Sequence, residues 1–177
     1  MHRLFTALPV PDDVAEQLLQ TITPITGARW RTAEHYHVTL AFFGAVSRAQ
    51  AEDIADALER VSVAIDPLEV NGVGWFGRRA PRALYARVQE QDGLARLSAA
   101  CRQVGAKFGL RPDDHPFAPH ITLAYCRDAT LEDVRTWSED MQLLRTEPFL
   151  ADRFHLYESF MAPGRQSQYQ IQADYLL

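Results

Sequence analysis

An α+β fold with two similar lobes and mainly antiparallel sheets is predicted by a strand pattern that occurs twice in the chain. Residues 37–40 are His-Val-Thr-Leu, and residues 120–123 are His-Ile-Thr-Leu. Polar and apolar side chains alternate in both segments, as they do in a strand that buries one face. The pattern occurs once in each half of the chain, with helical patterns around it. We therefore expect two pseudo-symmetric lobes, flanked by helices, on either side of a central cleft.

The elements of the first half follow from local signals. Residues 3–8 are expected to form a strand, and Pro11 to begin a helix, because the first helical turn does not use the N–H that proline lacks. The apolar stripe of this helix is expected to reach Ile22. The first repeated strand ends near Gly44, and Ser47 is a suitable N-cap for a second helix.

The second half repeats this organisation. A third helix is expected to end at Gly109, and Thr130 is expected to cap a fourth helix after the second repeated strand. A turn is predicted at Pro163 and Gly164. Strand patterns on either side of turns are expected to pair, namely residues 67–75 with 83–88 and residues 148–160 with 168–177.

The composition is typical of one globular domain, and we expect residues 1–177 to form it. The chain is 47% hydrophobic and 23% charged, which are ordinary values for a protein with its own core. Neither Cys101 nor Cys126 belongs to a CxxC pair, so no disulfide framework or zinc site is indicated. No signal peptide and no apolar run of about 20 residues is apparent. A cytoplasmic protein is therefore expected.

The formal net charge is −5 at neutral pH. Proteins that bind long nucleic acids usually carry a basic surface, because neutralising phosphates supplies most of their non-specific affinity. The charge thus argues against binding along an extended duplex. A local basic pocket for a single terminal phosphate remains compatible with it.

The repeated strands carry groups suited to acid-base catalysis. Histidine titrates near pH 6.5, so one of His37 and His120 can act as a general base while the other acts as a general acid. Thr39 and Thr122 follow on the same strand faces, about 6–7 Å along each strand. Two such strands meeting at one cleft would suit an in-line displacement at phosphorus, and that reaction needs no metal.

The paired motif resembles the two-histidine phosphoesterase superfamily, and within it the bacterial RNA 2′,3′-cyclic phosphodiesterases, which are also called 2′-5′ RNA ligases. The likeness extends to residues 3–9, to Arg29 with Trp30, and to residues 116–124 and 156–159. It implies a bilobal phosphoesterase-like fold. It also implies that a 2′,3′-cyclic phosphate at an RNA 3′ terminus is opened to a 2′-phosphate without metal or cofactor, with reversible 2′-5′ RNA ligation as a related activity.

The same resemblance assigns roles to the site residues. It implies that His37 is the acid that protonates the departing 3′ oxygen and that His120 is the base. The residues themselves leave the opposite order open. The two threonines would bind the non-bridging phosphate oxygens.

One position departs from the family pattern. Relatives often carry an arginine directly after the second His-x-Thr-Leu-x, where this chain has Tyr125, and Arg127 follows only two residues later. We expect Arg127 to bind the phosphate, with the arginines of residues 78–82 as the alternative. Phe42 and Tyr125 occupy matching places in the two motifs. Either is expected to stack on a nucleobase, and packing in the core is the alternative.

Two other functions are compatible with the sequence. One is a phosphodiesterase for small cyclic nucleotides or 2′-5′ oligonucleotides, and the other is a non-catalytic module that binds RNA ends. A pure binding module needs neither an acid nor a base, so the two intact histidines favour an enzyme. We expect a monomer whose partner is the RNA 3′ terminus and which binds no membrane.

Overall fold

The computed structural model describes residues 1–111, 115–161 and 166–177. The turn predicted at Pro163 and Gly164 lies outside these ranges. None of the helices in the described ranges is long and apolar enough to cross a membrane. Both cysteines of the chain are free thiols.

Eight strands and four α-helices make up the described structure. The strands are β1 (His2–Pro9), β2 (Ala28–Trp30), β3 (His37–Val46), β4 (Val70–Phe76), β5 (Ala83–Val88), β6 (His120–Cys126), β7 (Arg153–Phe160) and β8 (Gln168–Leu176). The helices are α1 (Asp12–Leu19), α2 (Arg48–Leu58), α3 (Asp92–Lys107) and α4 (Leu131–Asp140), and a short 3₁₀ helix spans Ala33–His35.

The strands form one sheet in the order β4-β5-β6-β3-β1-β7-β8, and β2 pairs with the end of β6. Every neighbouring pair is antiparallel. Between β3 and β6, the two strands that carry the repeated motif, only Val38 and Ile121 are paired. The predicted α+β fold with mainly antiparallel strands is confirmed, and the two repeated strands are joined at this single pair.

Local sequence signals account for the helix boundaries. Ser47 caps α2 through a capping box, in which its side chain accepts from the Gln50 N–H and the Gln50 side chain accepts from the Ser47 N–H. Thr130 caps α4 by accepting from the Asp133 N–H. The end of α1 differs from the prediction. The helix ends at Leu19, and Ile22 is exposed in the following loop.

Helix α3 packs against β3 and covers one face of the sheet at the motif. The Ser98 hydroxyl donates to the Leu40 carbonyl at 2.7 Å. At Gly105 a Cβ atom would lie 2.9 Å from the Phe43 ring, so the close approach of helix and strand requires glycine there. The opposite face of β3 is left open for a functional site.

The junction between the two halves should make a large contribution to stability. Ile121 is fully buried, so Ile121→Ala is expected to lower the free energy of unfolding by about 2–5 kcal/mol through lost burial and a residual cavity. The matched control Ile22→Ala, at an exposed site, should change it by less than about 0.5 kcal/mol. Urea denaturation measures both, and equal losses would contradict the assignment of Ile121 to the core.

Candidate active site

The pairing of Val38 with Ile121 determines where the four polar motif residues lie. Continuing the antiparallel register by one residue in each direction places His37 opposite Thr122 and His120 opposite Thr39. Val38 and Ile121 are completely buried. Because successive side chains alternate between faces, the histidines and threonines share the other face. All four line one cleft with a volume of about 250 Å³.

The register also sets the spacing between the two histidines. His37 lies opposite Thr122, two residues from His120, so the two rings are diagonal neighbours on adjacent strands. Diagonal neighbours in an antiparallel pair lie about 7–8 Å apart. That separation leaves room for one phosphate group between the two imidazoles.

The backbone two residues before each motif histidine lies beside its imidazole ring. His120 Nδ1 donates to the Ala118 carbonyl at 2.7 Å, which leaves Nε2 as the unprotonated nitrogen of the neutral ring. The backbone of His35 occupies the corresponding place beside His37, where it acts to raise the pKa of the His37 ring. The hydrogen bond to Ala118 therefore holds the His120 ring in a defined orientation.

His35 supports this arrangement without being part of either motif. Its Nε2 donates to the Ser167 carbonyl at 2.9 Å, so its Nδ1 accepts from the Thr32 hydroxyl at 2.8 Å. Both nitrogens of the His35 ring are thus engaged, and its backbone acts on the His37 ring by raising the pKa of His37. His35 is placed to position the catalytic candidate rather than to exchange protons itself.

Aromatic rings surround both histidines. The His37 ring centroid lies 5.1 Å from that of Phe5 and 5.3 Å from that of Tyr169, which approaches edge-on. His120 lies 4.9 Å from Phe76, also edge-on. These contacts restrict the rotation of each imidazole and bury part of it.

Burial has a clear electrostatic consequence. It is the main cause that lowers the pKa of His37 to about 4, and the charge of Arg31 lowers that pKa as well. Burial also lowers the pKa of His120. Both rings are therefore neutral at pH 7 when the cleft holds no ligand. An anion between them would raise both pKa values and favour protonation.

Sequence reasoning missed Arg31, which also lines this cleft. It follows directly after β2, and only 3% of its surface is exposed. The sequence indicated only that the segment leads into the first motif, because nothing local distinguishes a buried arginine from a solvated one. The pairing of β2 with β6, which brings Arg31 to the site, is a long-range contact.

The other predicted binding residues divide into two groups. Phe42 and Tyr125 line the cleft and are 61% and 47% exposed, so both rings are accessible to a ligand. Arg127 lies in the turn after β6, where its N–H donates to the Gly27 carbonyl at 2.8 Å. Its side chain is exposed and is not among the residues that line the cleft.

A second, more apolar cavity of about 460 Å³ adjoins the cleft on the side of His120. Thr39, Phe42, His120 and Tyr125 line both spaces. The apolar walls of the larger cavity include Phe43, Phe76, Leu110, Pro116 and Phe117, and Arg82, Arg102 and Arg111 line it as well. A ligand with one charged and one flat apolar part can therefore occupy both spaces at once. Within the described ranges, no three His, Cys, Asp or Glu side chains cluster closely enough to hold a metal ion.

The chain is similar to a known family and to named proteins along most of its length. The family model described as the 2'-5' RNA ligase superfamily matches residues 10–159. A Bacillus subtilis protein named RNA 2',3'-cyclic phosphodiesterase is 28% identical over 167 residues, which cover 87% of this chain and 86% of that relative. The Escherichia coli protein of the same name is 29% identical over 181 residues, covering 93% and 90% respectively.

The fold is also similar to solved structures along nearly the whole chain. E. coli LigT complexed with NADP+ is similar with a TM-score of 0.77 at 27% identity, over 99% of this chain and 97% of that one. E. coli LigT complexed with 3'-AMP gives a TM-score of 0.76 at 26% identity, over 99% and 98%. The family match includes both His-x-Thr strands, so the resemblance predicted from the residues is confirmed. The chain belongs to the 2'-5' RNA ligase superfamily.

Proposed function

We propose that this chain is a metal-independent RNA 2′,3′-cyclic phosphodiesterase that opens terminal cyclic phosphates to 2′-phosphates. The observation that carries the proposal is the single cleft in which His37, Thr39, His120 and Thr122 face one another. Relatives along most of the chain are named for this activity. We propose further that residues 1–177 act as one domain, as a monomer in the cytoplasm, with an RNA 3′ terminus as substrate.

The reaction requires one proton to be removed and another to be supplied. We assign His120 as the base that takes a proton from water, whose oxygen then attacks phosphorus. The bond between phosphorus and the 3′ oxygen breaks, and His37 donates its proton to that oxygen. The product carries a 2′-phosphate, and the two rings have exchanged protonation states. The spacing of about 7–8 Å between diagonal neighbours supports this arrangement around one phosphorus atom.

The two threonines complete the phosphate site in this proposal. Each lies opposite the histidine of the other strand, so their hydroxyls can donate to the two non-bridging oxygens. Negative charge on those oxygens increases in the transition state, and hydrogen bonds that strengthen there accelerate the reaction. If a 5′-hydroxyl replaces water as the nucleophile, the same chemistry joins it to the phosphate and forms a 2′-5′ bond, and the reverse of that step cleaves the bond.

The apolar cavity beside His120 is proposed to receive the terminal nucleobase. Phe42 and Tyr125 stand at its junction with the cleft and expose enough of their rings to stack on a base. A base in the cavity would hold the attached ribose phosphate beside both histidines. The combination of an apolar and a polar space supports a nucleotide end as the ligand.

The reaction class is tested with a short RNA that ends in a 2′,3′-cyclic phosphate, incubated with excess EDTA and followed by phosphorus NMR. The wild type is expected to form a 2′-phosphate. His37→Ala and His120→Ala should each slow the reaction by about 10²–10⁴-fold, because each removes a general acid or base. His2→Ala is the matched control and should retain activity, since His2 bonds Glu158 and does not line the cleft.

The outcomes separate the candidate functions. Activity that appears only when divalent metal is restored would contradict the metal-independent scheme. Binding of the RNA end without turnover would favour the binding module, and turnover of small cyclic nucleotides alone would favour the other phosphodiesterase.

Thr39→Val and Thr122→Val test the non-bridging contacts. Each change is nearly isosteric and removes one hydrogen bond to a charged oxygen, a loss of about 1.5–3 kcal/mol. Turnover should fall by about 10- to 100-fold with the unfolding free energy nearly unchanged. Thr136→Val, on the exposed face of α4, is the control and should have no kinetic effect. Wild-type kinetics in both motif variants would remove the hydroxyls from the mechanism.

The pH dependence follows from the two lowered pKa values. Catalysis needs one neutral and one protonated imidazole, and in the free enzyme this state is most populated between the pKa values of His37 and His120. The profile of kcat/KM should therefore have its maximum below pH 6.5 and decline towards neutrality. The bound phosphate raises both pKa values, so the maximum of kcat should lie at higher pH. Identical maxima above pH 7 would contradict this electrostatic description.

A further inference from the structure

Arg31 is anchored beside the second motif by its backbone. Its N–H donates to the Leu123 carbonyl at 2.7 Å, which extends the pairing of β2 with β6 by one residue. Leu123 follows Thr122 directly. The side chain of Arg31 therefore begins next to the phosphate site and reaches the cleft as a buried group.

The guanidinium is held in place by one hydrogen bond and two rings. Nη1 donates to the Gln166 Oε1 at 2.8 Å, and the Gln166 amide donates to the Trp30 carbonyl at 3.0 Å. The guanidinium carbon lies 5.5 Å from the ring centroid of Tyr125 and equally far from that of Tyr169. Both distances are within the range of cation–π attraction. The planar group is thus preorganised before any ligand arrives.

One part of this group has no partner. Arg31 Nη2 is buried and has no hydrogen-bond acceptor in the described structure. No carboxylate within the described ranges forms an ion pair with Arg31. A buried N–H without an acceptor is costly in a charged group that forms no ion pair, even though the exposed Glu34 carboxylate is near enough for the Arg31 charge to lower its pKa. Such a group in a cleft is explained by an anionic ligand that supplies the missing acceptor.

We propose that Arg31 binds the non-bridging oxygens of the substrate phosphate through Nη2, and so performs the role that the sequence assigned to Arg127. The inference rests on the proposed function and names the residue that binds the charge. A guanidinium suits phosphate because its planar donors match the phosphate oxygens. Tyr125 stands at the position where an arginine was expected, and its ring instead contacts the Arg31 guanidinium.

The charge of Arg31 already acts at the site. It is one of the causes that lower the pKa of His37, so the two groups are electrostatically coupled. A phosphate bound between them would offset that repulsion and allow His37 to become protonated. Because of the Arg31 charge, the protonation of His37 would therefore depend on bound substrate.

The test compares two ligands by isothermal titration calorimetry. Adenosine 2′-monophosphate carries the phosphate of the proposed product, and adenosine lacks it. Arg31→Gln should weaken binding of the monophosphate by about 10- to 100-fold, as expected for a charge-assisted hydrogen bond, and leave adenosine binding unchanged. Arg96→Gln, on the exposed face of α3, is the matched control and should bind both ligands as the wild type does.

Three further variants keep the test decisive. If Arg31→Gln fails to fold, as judged by circular dichroism, Arg31→Lys replaces it, because it keeps the charge and loses the planar donors. It should weaken monophosphate binding selectively, by a smaller factor. Arg127→Ala tests the competing residue and should retain the preference for the phosphate. Tyr125→Arg added to Arg31→Gln should recover part of that preference.

The inference is overturned by any of three results with the variants, or by one with the wild type. They are wild-type monophosphate binding in the Arg31 variant, an equal loss for both ligands, and a selective loss in Arg127→Ala alone. A wild type that binds adenosine as tightly as its 2′-phosphate also overturns it. Binding requires no turnover, so a wild type that prefers the phosphate yet leaves cyclic RNA ends intact would refute the proposed function and retain the role of Arg31.

Discussion

The antiparallel pairing of Val38 with Ile121 is the constraint on which the site depends. A shift of the register by one residue would turn the histidines and threonines into the core and the apolar residues into the cleft. This is the one residue pair that joins β3 to β6. It therefore sets how these two strands lie relative to each other, and it places each histidine opposite the threonine of the other strand.

The cleft combines a small positive region with a chain of negative net charge. The formal charge of −5 gives no general attraction for phosphates, so recognition has to arise locally. Arg31 supplies a fixed charge, and His37 and His120 are neutral until an anion raises their pKa values. This arrangement fits the proposed function, in which one terminal phosphate enters the cleft and the attached nucleoside occupies the adjoining, mostly apolar cavity.

Signals that act over a few residues were sufficient to predict most of the fold and the motif residues. The alternation in β3 and β6, and the caps at Ser47 and Thr130, are local, so the sequence alone identifies them. Strand β2 has three residues and is formed by its distant partner β6, which explains why no strand was predicted there. Arg31 was missed for the same reason, and Arg127 was selected only for its proximity along the chain to the second motif.

The most direct test of the account is a crystal structure of the protein with adenosine 2′-monophosphate. The account predicts one phosphate in the cleft, within hydrogen-bond distance of both histidines, both motif threonines and Arg31, with the base in the apolar cavity. A phosphate contacted by the residues of only one motif, or bound outside the cleft, would contradict the claim that the two strands form a single active site.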